Sequence, residues 1–343
     1  IGFFLAGLFN NSSYVIMIAG AKSIAPSMVG IVYVCNILPS FLMKLSAPYW
    51  FHLVSYDTRV LMACTFISIA FTIVGIGEIE DMLWLQLLGV VFSSLQSGVG
   101  ETSFLSLTSH FESREALTAW SSGTGIAGII GYGWVVLFTI GLGQTFAVTS
   151  FVALILPVCY FANYYIMLAP AIKQNSATYS LVRPGSESSD ADVNDNHPHL
   201  SAEHFPHTAS YDMLKHHEDM DEYKASSVAN MSASERMKHT LDLWPFMIPL
   251  LVVYLAEYAM QSGVWSAIGF PVDSQNARDN FYVYANWMYQ VGVFVSRSSG
   301  MIWQADMIAI WTMPMMQVML LIFFVLDACY EWWYNWGVLV LES

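Results

Sequence analysis

Runs of about twenty apolar residues, parted by short polar connections, recur along most of the chain, and about twenty is the number a helix needs to cross a bilayer. They predict spans at 2–21, 27–46, 59–77, 83–108, 118–141, 145–169, 243–268, 281–301 and 307–329. Residues 330–341 begin a tenth run that stops too soon to cross. The pattern predicts an all-α, polytopic transmembrane protein with three parts. These are a six-helix bundle over 1–169, a polar insert over 170–241, and a partial second bundle over 243–343. Six close spans, a long insert and further spans is the outline of a two-halved transporter, whose site lies between the halves. With three full spans in its second half the chain reads as truncated, and its start inside an apolar run reads as lacking a tail. Ala19-Gly20-Ala21 has the form of a signal-peptide cleavage site. No basic stretch precedes that run, however, and Asn10-Asn11-Ser12-Ser13 interrupts it, so a span is the preferred reading.

Composition sharpens the picture. Of 343 residues 56% are hydrophobic and only 11% charged, against about 25% charged in an ordinary soluble domain. Seventeen of the 38 charged residues fall in 170–241, so the remainder cannot cover a globular surface with polar groups. The net charge of −14, with no basic cluster, excludes a nucleic-acid binder. Cys35, Cys64, Cys159 and Cys329 lie far apart inside apolar runs, a spacing that offers neither a zinc site nor disulfides. No metal and no cofactor is expected. Phosphate loops, nucleophile elbows and paired catalytic carboxylates are missing, which argues against an enzyme and against ATP-driven transport.

Lys and Arg in the short connections set orientation. Lys44, Arg59 and Arg114 follow the second and fourth spans, and Lys173, Arg236 and Lys238 bracket the insert. The opposite connections hold only Lys22 and Arg278, and one of them is acidic (Glu78, Glu80, Asp81). The N-terminus and the insert should therefore face the cytosol. The insert is rich in Ser, Asp and His without an apolar period, which predicts a disordered tether. Within it Tyr211-Asp212-Met213-Leu214 fits the tyrosine-x-x-bulky pattern read by sorting adaptors, with Tyr179–Val182 in reserve. Asn230-Met231-Ser232 is a sequon, but on the cytosolic side it would not be glycosylated.

An ionised side chain at bilayer depth is costly and survives facing a partner or water. Glu101 shares a helical stripe with Ser94, Ser97 and Thr108. Glu257 stands among Tyr254, Tyr258, Gln261 and Trp265. Arg297 ends a stripe of Tyr282, Asn286 and Gln290. Three helices with one polar face each imply a shared hydrated interior. The competing reading is structural: Glu257 and Arg297 as an ion pair that only fixes packing. Lys44, Asp306 and Asp327 sit at span ends and are expected to snorkel. Gly123, Ala127 and Gly131 repeat at four in the fifth span, a groove for a neighbouring helix.

Several strings resemble the battenin family of lysosomal membrane proteins. They are Gly7–Val15, Ser97–Thr108, Trp120–Gly125, Val252–Tyr258 and Tyr289–Ser299, ordered and spread over residues 1–301. Beyond 301 the similarity fades, the family's last helices are absent, and its glycosylated loop after the first span is reduced to Lys22–Pro26. The resemblance implies a major-facilitator-like two-bundle fold in lysosomal and late endosomal membranes, distantly similar to equilibrative nucleoside transporters. It implies roles in lysosomal pH balance, in arginine movement and in clearing glycerophosphodiesters. In such an arrangement the first, fourth, seventh and eighth spans border a central cavity. Glu101, Glu257, Arg297, Gln261, Gln290, Asn286, Tyr254 and Asn11 are the expected substrate or proton pathway. Arg297 would hold an anionic group, and Glu101 or Glu257 would take up a proton. The expected function is secondary export of a small polar solute. The alternative is a non-transporting membrane scaffold whose insert recruits trafficking partners.

Overall fold

The computed structural model describes residues 1–108, 113–173, 241–265, 275–299 and 306–330, with Phe111, Lys238 and Ile302 between them. Most of the predicted insert, Tyr211 and Leu214 included, lies outside the described residues, as do 331–343, where the tenth apolar run begins. The chain divides into two compact units, one of 1–182 with 253–343 and one of 183–252. Everything below concerns the first, and its described elements are all helical.

Helices α1 (Gly2–Ala19), α2 (Ala21–Ile24), α3 (Val29–Trp50), α4 (Tyr56–Ile79), α5 (Leu83–Thr108) and α6 (Ser113–Val135) follow in close succession. α7 (Phe146–Val152) and α8 (Ile155–Asn163) then share the sixth predicted span. After the insert come α9 (Trp244–Ala259), α10 (Gln275–Ser298) and α11 (Met307–Tyr330). Short π-type turns extend α6 to Gly141, α8 to Leu168 and α9 to Val264.

Among the described residues, eight helices are long and apolar enough to cross a membrane. The predicted span at 281–301 is not one of them. Its helix exists, but it starts earlier, at Gln275, and its Asn, Arg and Asp opening and polar stripe make it amphipathic. Other boundaries moved for identifiable reasons. α4 starts at Tyr56 rather than 59 because the Ser55 side chain accepts a hydrogen bond from the Thr58 amide, an N-cap. It ends where Met82 N–H donates to the Gly77 carbonyl (2.7 Å) and Asp81 N–H to that of Glu78 (3.2 Å). Asp81 there takes φ of 53°, the left-handed closure of a Schellman motif.

The core forms around α1, which packs along α6 and touches α5 and α8. A buried polar knot ties three of these helices. Asn10 Oδ1 accepts from Gln96 Nε2 (2.8 Å) and from the Tyr160 hydroxyl (3.1 Å), while Ser13 donates to Gln96 Oε1. Gly100 faces this knot, and a Cβ there would collide with the Asn10 side chain. Buried polar groups that find partners in this way pin helix register inside an apolar bundle.

Two charges counted as interfacial are turned inward. Arg59 is buried: its guanidinium donates to the Val54 (2.9 Å) and Phe51 carbonyls and lies 4.6 Å from the Phe51 and Tyr56 ring centres. Asp327, expected to snorkel, is fully buried in α11. Asp306 does stand at a helix end, where it caps α11 through the Ala309 amide (2.9 Å).

Candidate functional site

α6 has small residues on two faces. Gly123 and Gly131, with Ala127 fully buried between them, meet α1. A Cβ on Gly123 would strike the Phe4 carbonyl, and one on Gly131 the Val15 side chain. The repeat at four therefore admits a helix backbone, as its spacing suggested. Gly125 and Gly128 lie on roughly the opposite side, two and five residues on from Gly123 at about 100° each. A Cβ on Gly125 would meet the Phe294 backbone, and one on Gly128 the Gln290 amide. This second face receives α10.

The contacts made there are polar. Arg297 Nη1 donates to the Thr124 hydroxyl at 2.7 Å. Ser122 donates to Ser298 (3.0 Å), and Trp287 Nε1 donates to the Ile129 carbonyl (3.0 Å). Asn11, on α1, reaches the same stretch of α6 by donating from Nδ2 to the Thr124 carbonyl at 3.2 Å. Thr124 thus meets Asn11 through its backbone and Arg297 through its side chain. Asn286, further along the α10 stripe, is fully buried. Tyr282 belongs to α10, but its side chain is outside the described residues.

α9 brings the other charge. Glu257 Oε1 accepts from Gln261 Nε2 at 3.3 Å, one turn on, and its carboxylate also hydrogen-bonds the Tyr289 hydroxyl of α10. Arg297 acts on Glu257 electrostatically. Among the described residues, though, the one carboxylate–cation pair within 4.0 Å is Lys44–Glu101 and not Glu257–Arg297. The packing ion pair weighed from sequence is not the arrangement found. Glu101 pairs across α3 and α5 with Lys44, Nζ to Oε2 at 2.7 Å, and both side chains are about one-third exposed (37% and 36%). Lys44 had been set aside as a snorkelling residue, and this contact gives it a different role.

Tyr254 ties these charges together, lying within electrostatic reach of Arg297, Glu257 and Glu101 at once. Its ring stacks on Tyr258, whose hydroxyl is 2.8 Å from that of Tyr14 on α1 and whose ring meets Tyr33 of α3 edge-on. Of the residues anticipated as a pathway, Glu257, Gln261, Arg297 and Tyr254 converge, with Asn11 joined through Thr124. Gln290 lies one to two turns away on the same α10 face, against Gly128. Tyr14, Tyr258, Tyr289, Thr124 and Lys44 belong to the same surroundings and were missed as site residues. Tyr258 stood in the Glu257 stripe and Thr124 beside Gly123, and that proximity was the available signal.

The CLN3 protein family model matches residues 1–342. The chain belongs to that family. It is 33% identical over 318 residues to protein btn-1 of Neurospora crassa and 34% identical over 310 residues to protein BTN1 of Chaetomium globosum. Each alignment covers 87% of this chain and 66% of the relative. Battenin of Canis lupus familiaris is 29% identical over 361 residues, with 96% of this chain and 75% of battenin covered. The chain thus spans just under two thirds of the length of the fungal relatives. As a CLN3-family chain with eight candidate spans it is a multi-pass membrane protein, from a family known to be lysosomal and not known for enzymes.

Proposed function

We propose that the protein is a secondary transporter of the lysosomal and late endosomal membrane that moves a small polar solute through the cleft lined by α1, α6, α9 and α10. The observation that carries this reading is the state of Arg297. Its guanidinium is held by a neutral hydroxyl, Thr124, and not by direct contact with a carboxylate. A guanidinium has five donors in a planar fork, so an Arg spending one of them on a hydroxyl keeps the rest for an anionic oxygen pair. Glu257, with Gln261 and Tyr289 on its oxygens, is the group placed to exchange a proton as the solute enters. Glu101, already paired with Lys44, serves that role less well.

A glycerophosphodiester suits this geometry because it brings an anionic diester to Arg297 and hydroxyls to the amides and tyrosines. Arginine would instead address Glu257 and leave Arg297 a repulsive neighbour. In this reading the two groups of helices are the halves of a major-facilitator-like arrangement. The N-terminus and the insert face the cytosol, where Tyr211 and Leu214 serve as a sorting signal. The test is reconstitution of the full-length protein in vesicles. Uptake of a glycerophosphodiester that responds to a pH gradient is the expected result. Absence of any flux for the diester and for arginine, with adaptor binding retained by the insert, would replace transport by the scaffold reading.

A further inference from the structure

The end of the bundle where α2, α4 and α5 meet holds a pocket of about 310 Å³ that shares no lining residue with the α6–α10 face. One wall is acidic and amidic, from Glu78, Asp81 and Gln86, and the other mixes Ile24, Met28 and Leu83 with the hydroxyl-bearing Ser23 and Ser27. The polar atoms have been only half spent on structure. Glu78 Oε1 accepts the Phe146 amide (3.1 Å) and so caps α7, while its Oε2 is buried without a partner. Gln86 Nε2 donates to the Gly77 carbonyl (3.3 Å), which leaves Oε1 buried and equally unpartnered. Gln86 is buried, at 6% exposure. Buried acceptors without donors are costly, and two of them belong to the residues lining this one pocket.

We infer that this cavity binds a small alkyl primary amine, its ammonium donating to Glu78 Oε2, Gln86 Oε1 and the Asp81 carboxylate, its alkyl part against Ile24, Met28 and Leu83. A primary ammonium has three donors and no acceptor, which matches the three oxygen acceptors that Glu78, Asp81 and Gln86 can offer. A metal ion suits it less: no group of three or more His, Cys, Asp or Glu is gathered among the described residues. The volume lies at the lower end of the range for small-molecule sites, about 300–1,000 Å³.

The test uses the full-length protein in nanodiscs, titrated with n-butylammonium and followed by thermal unfolding and ligand-observed NMR. Tetramethylammonium, with the charge but no N–H, and 1-butanol, with the chain but no charge, are the controls. Two variants keep the fold. Asp81→Asn suits the left-handed backbone at φ 53°, which Asn tolerates well. Glu78→Gln keeps an oxygen for the Phe146 amide. Saturable stabilisation by butylammonium alone, weakened at least tenfold in both variants while their unliganded melting temperatures stay near wild type, is the expected result. Equal stabilisation by the two controls, or unchanged butylammonium affinity in Asp81→Asn, would overturn the proposal. If Glu78→Gln melts early, the Asp81→Asn titration decides by itself.

Discussion

The two faces of α6 use the same device for opposite ends. Toward α1, Gly123, Ala127 and Gly131 remove side chains so that backbone meets backbone, with the hydrogen bond from Asn11 to the Thr124 carbonyl beside them. Toward α10, Gly125 and Gly128 make the same room, and the room is filled by Arg297, Gln290 and Trp287. In lipid there is no hydrophobic force between helices, so close approach and hydrogen bonds do the work. The α1 face spends the approach mostly on van der Waals contact. The polar face spends it on seating a guanidinium, an amide and an indole against α6. Small residues in a membrane helix therefore do not announce a purpose; what the opposing helix inserts decides it.

The difference predicts unequal consequences for one added methyl group. Gly123→Ala sets a Cβ against the Phe4 carbonyl, which is backbone and cannot turn aside, so α1 must shift. Overpacking of this kind costs about 1–3 kcal/mol, read as a lower unfolding temperature in detergent and lower abundance in cells. Gly128→Ala meets the Gln290 side chain, whose amide can rotate away but whose Cβ, 2.9 Å from the new methyl, needs a small shift of α10. Its unfolding temperature should fall less than that of Gly123→Ala, and a drop as large would erase the distinction between the faces. Trp287→Phe should come next. It keeps most of the ring but drops the bond to the Ile129 carbonyl, at a cost of about 1 kcal/mol in thermal or denaturant unfolding. The smallest effect is expected outside both faces, at Glu101→Gln. The Lys44–Glu101 pair is over a third exposed, so screening should hold its stability loss to about 0.5 kcal/mol or less.

Hydropathy made most of the helices legible because bilayer thickness imposes a length that few soluble helices imitate. At α10 one helix carries an apolar face and a charged, amide-rich face, and it falls short of the length-and-apolarity standard that the other eight meet. Glu257, Gln261 and Arg297 were visible as polar positions on otherwise apolar helices, since period within one helix is a local signal. Partnerships between helices were not. Lys44 looked like a snorkelling end residue because nothing local says that Glu101 stands opposite. The Asn10–Gln96 bond joins positions 86 apart. The repeat at four drew attention to Gly123, Ala127 and Gly131 and away from Gly125 and Gly128, whose importance depends on where α10 lies.

The most direct measurement compares Arg297→Lys with wild type in the full-length protein, taking abundance and glycerophosphodiester flux from the same membranes. A lysine keeps the charge and can still donate to Thr124, but it replaces the planar fork with a point-like ammonium. If Arg297 grips an anionic oxygen pair, the variant should reach the membrane in normal amount and lose flux by about tenfold or more, a deficit of at least roughly 1.4 kcal/mol. Normal abundance together with normal flux would contradict the anchoring role and reduce Arg297 to a packing contact of the polar face.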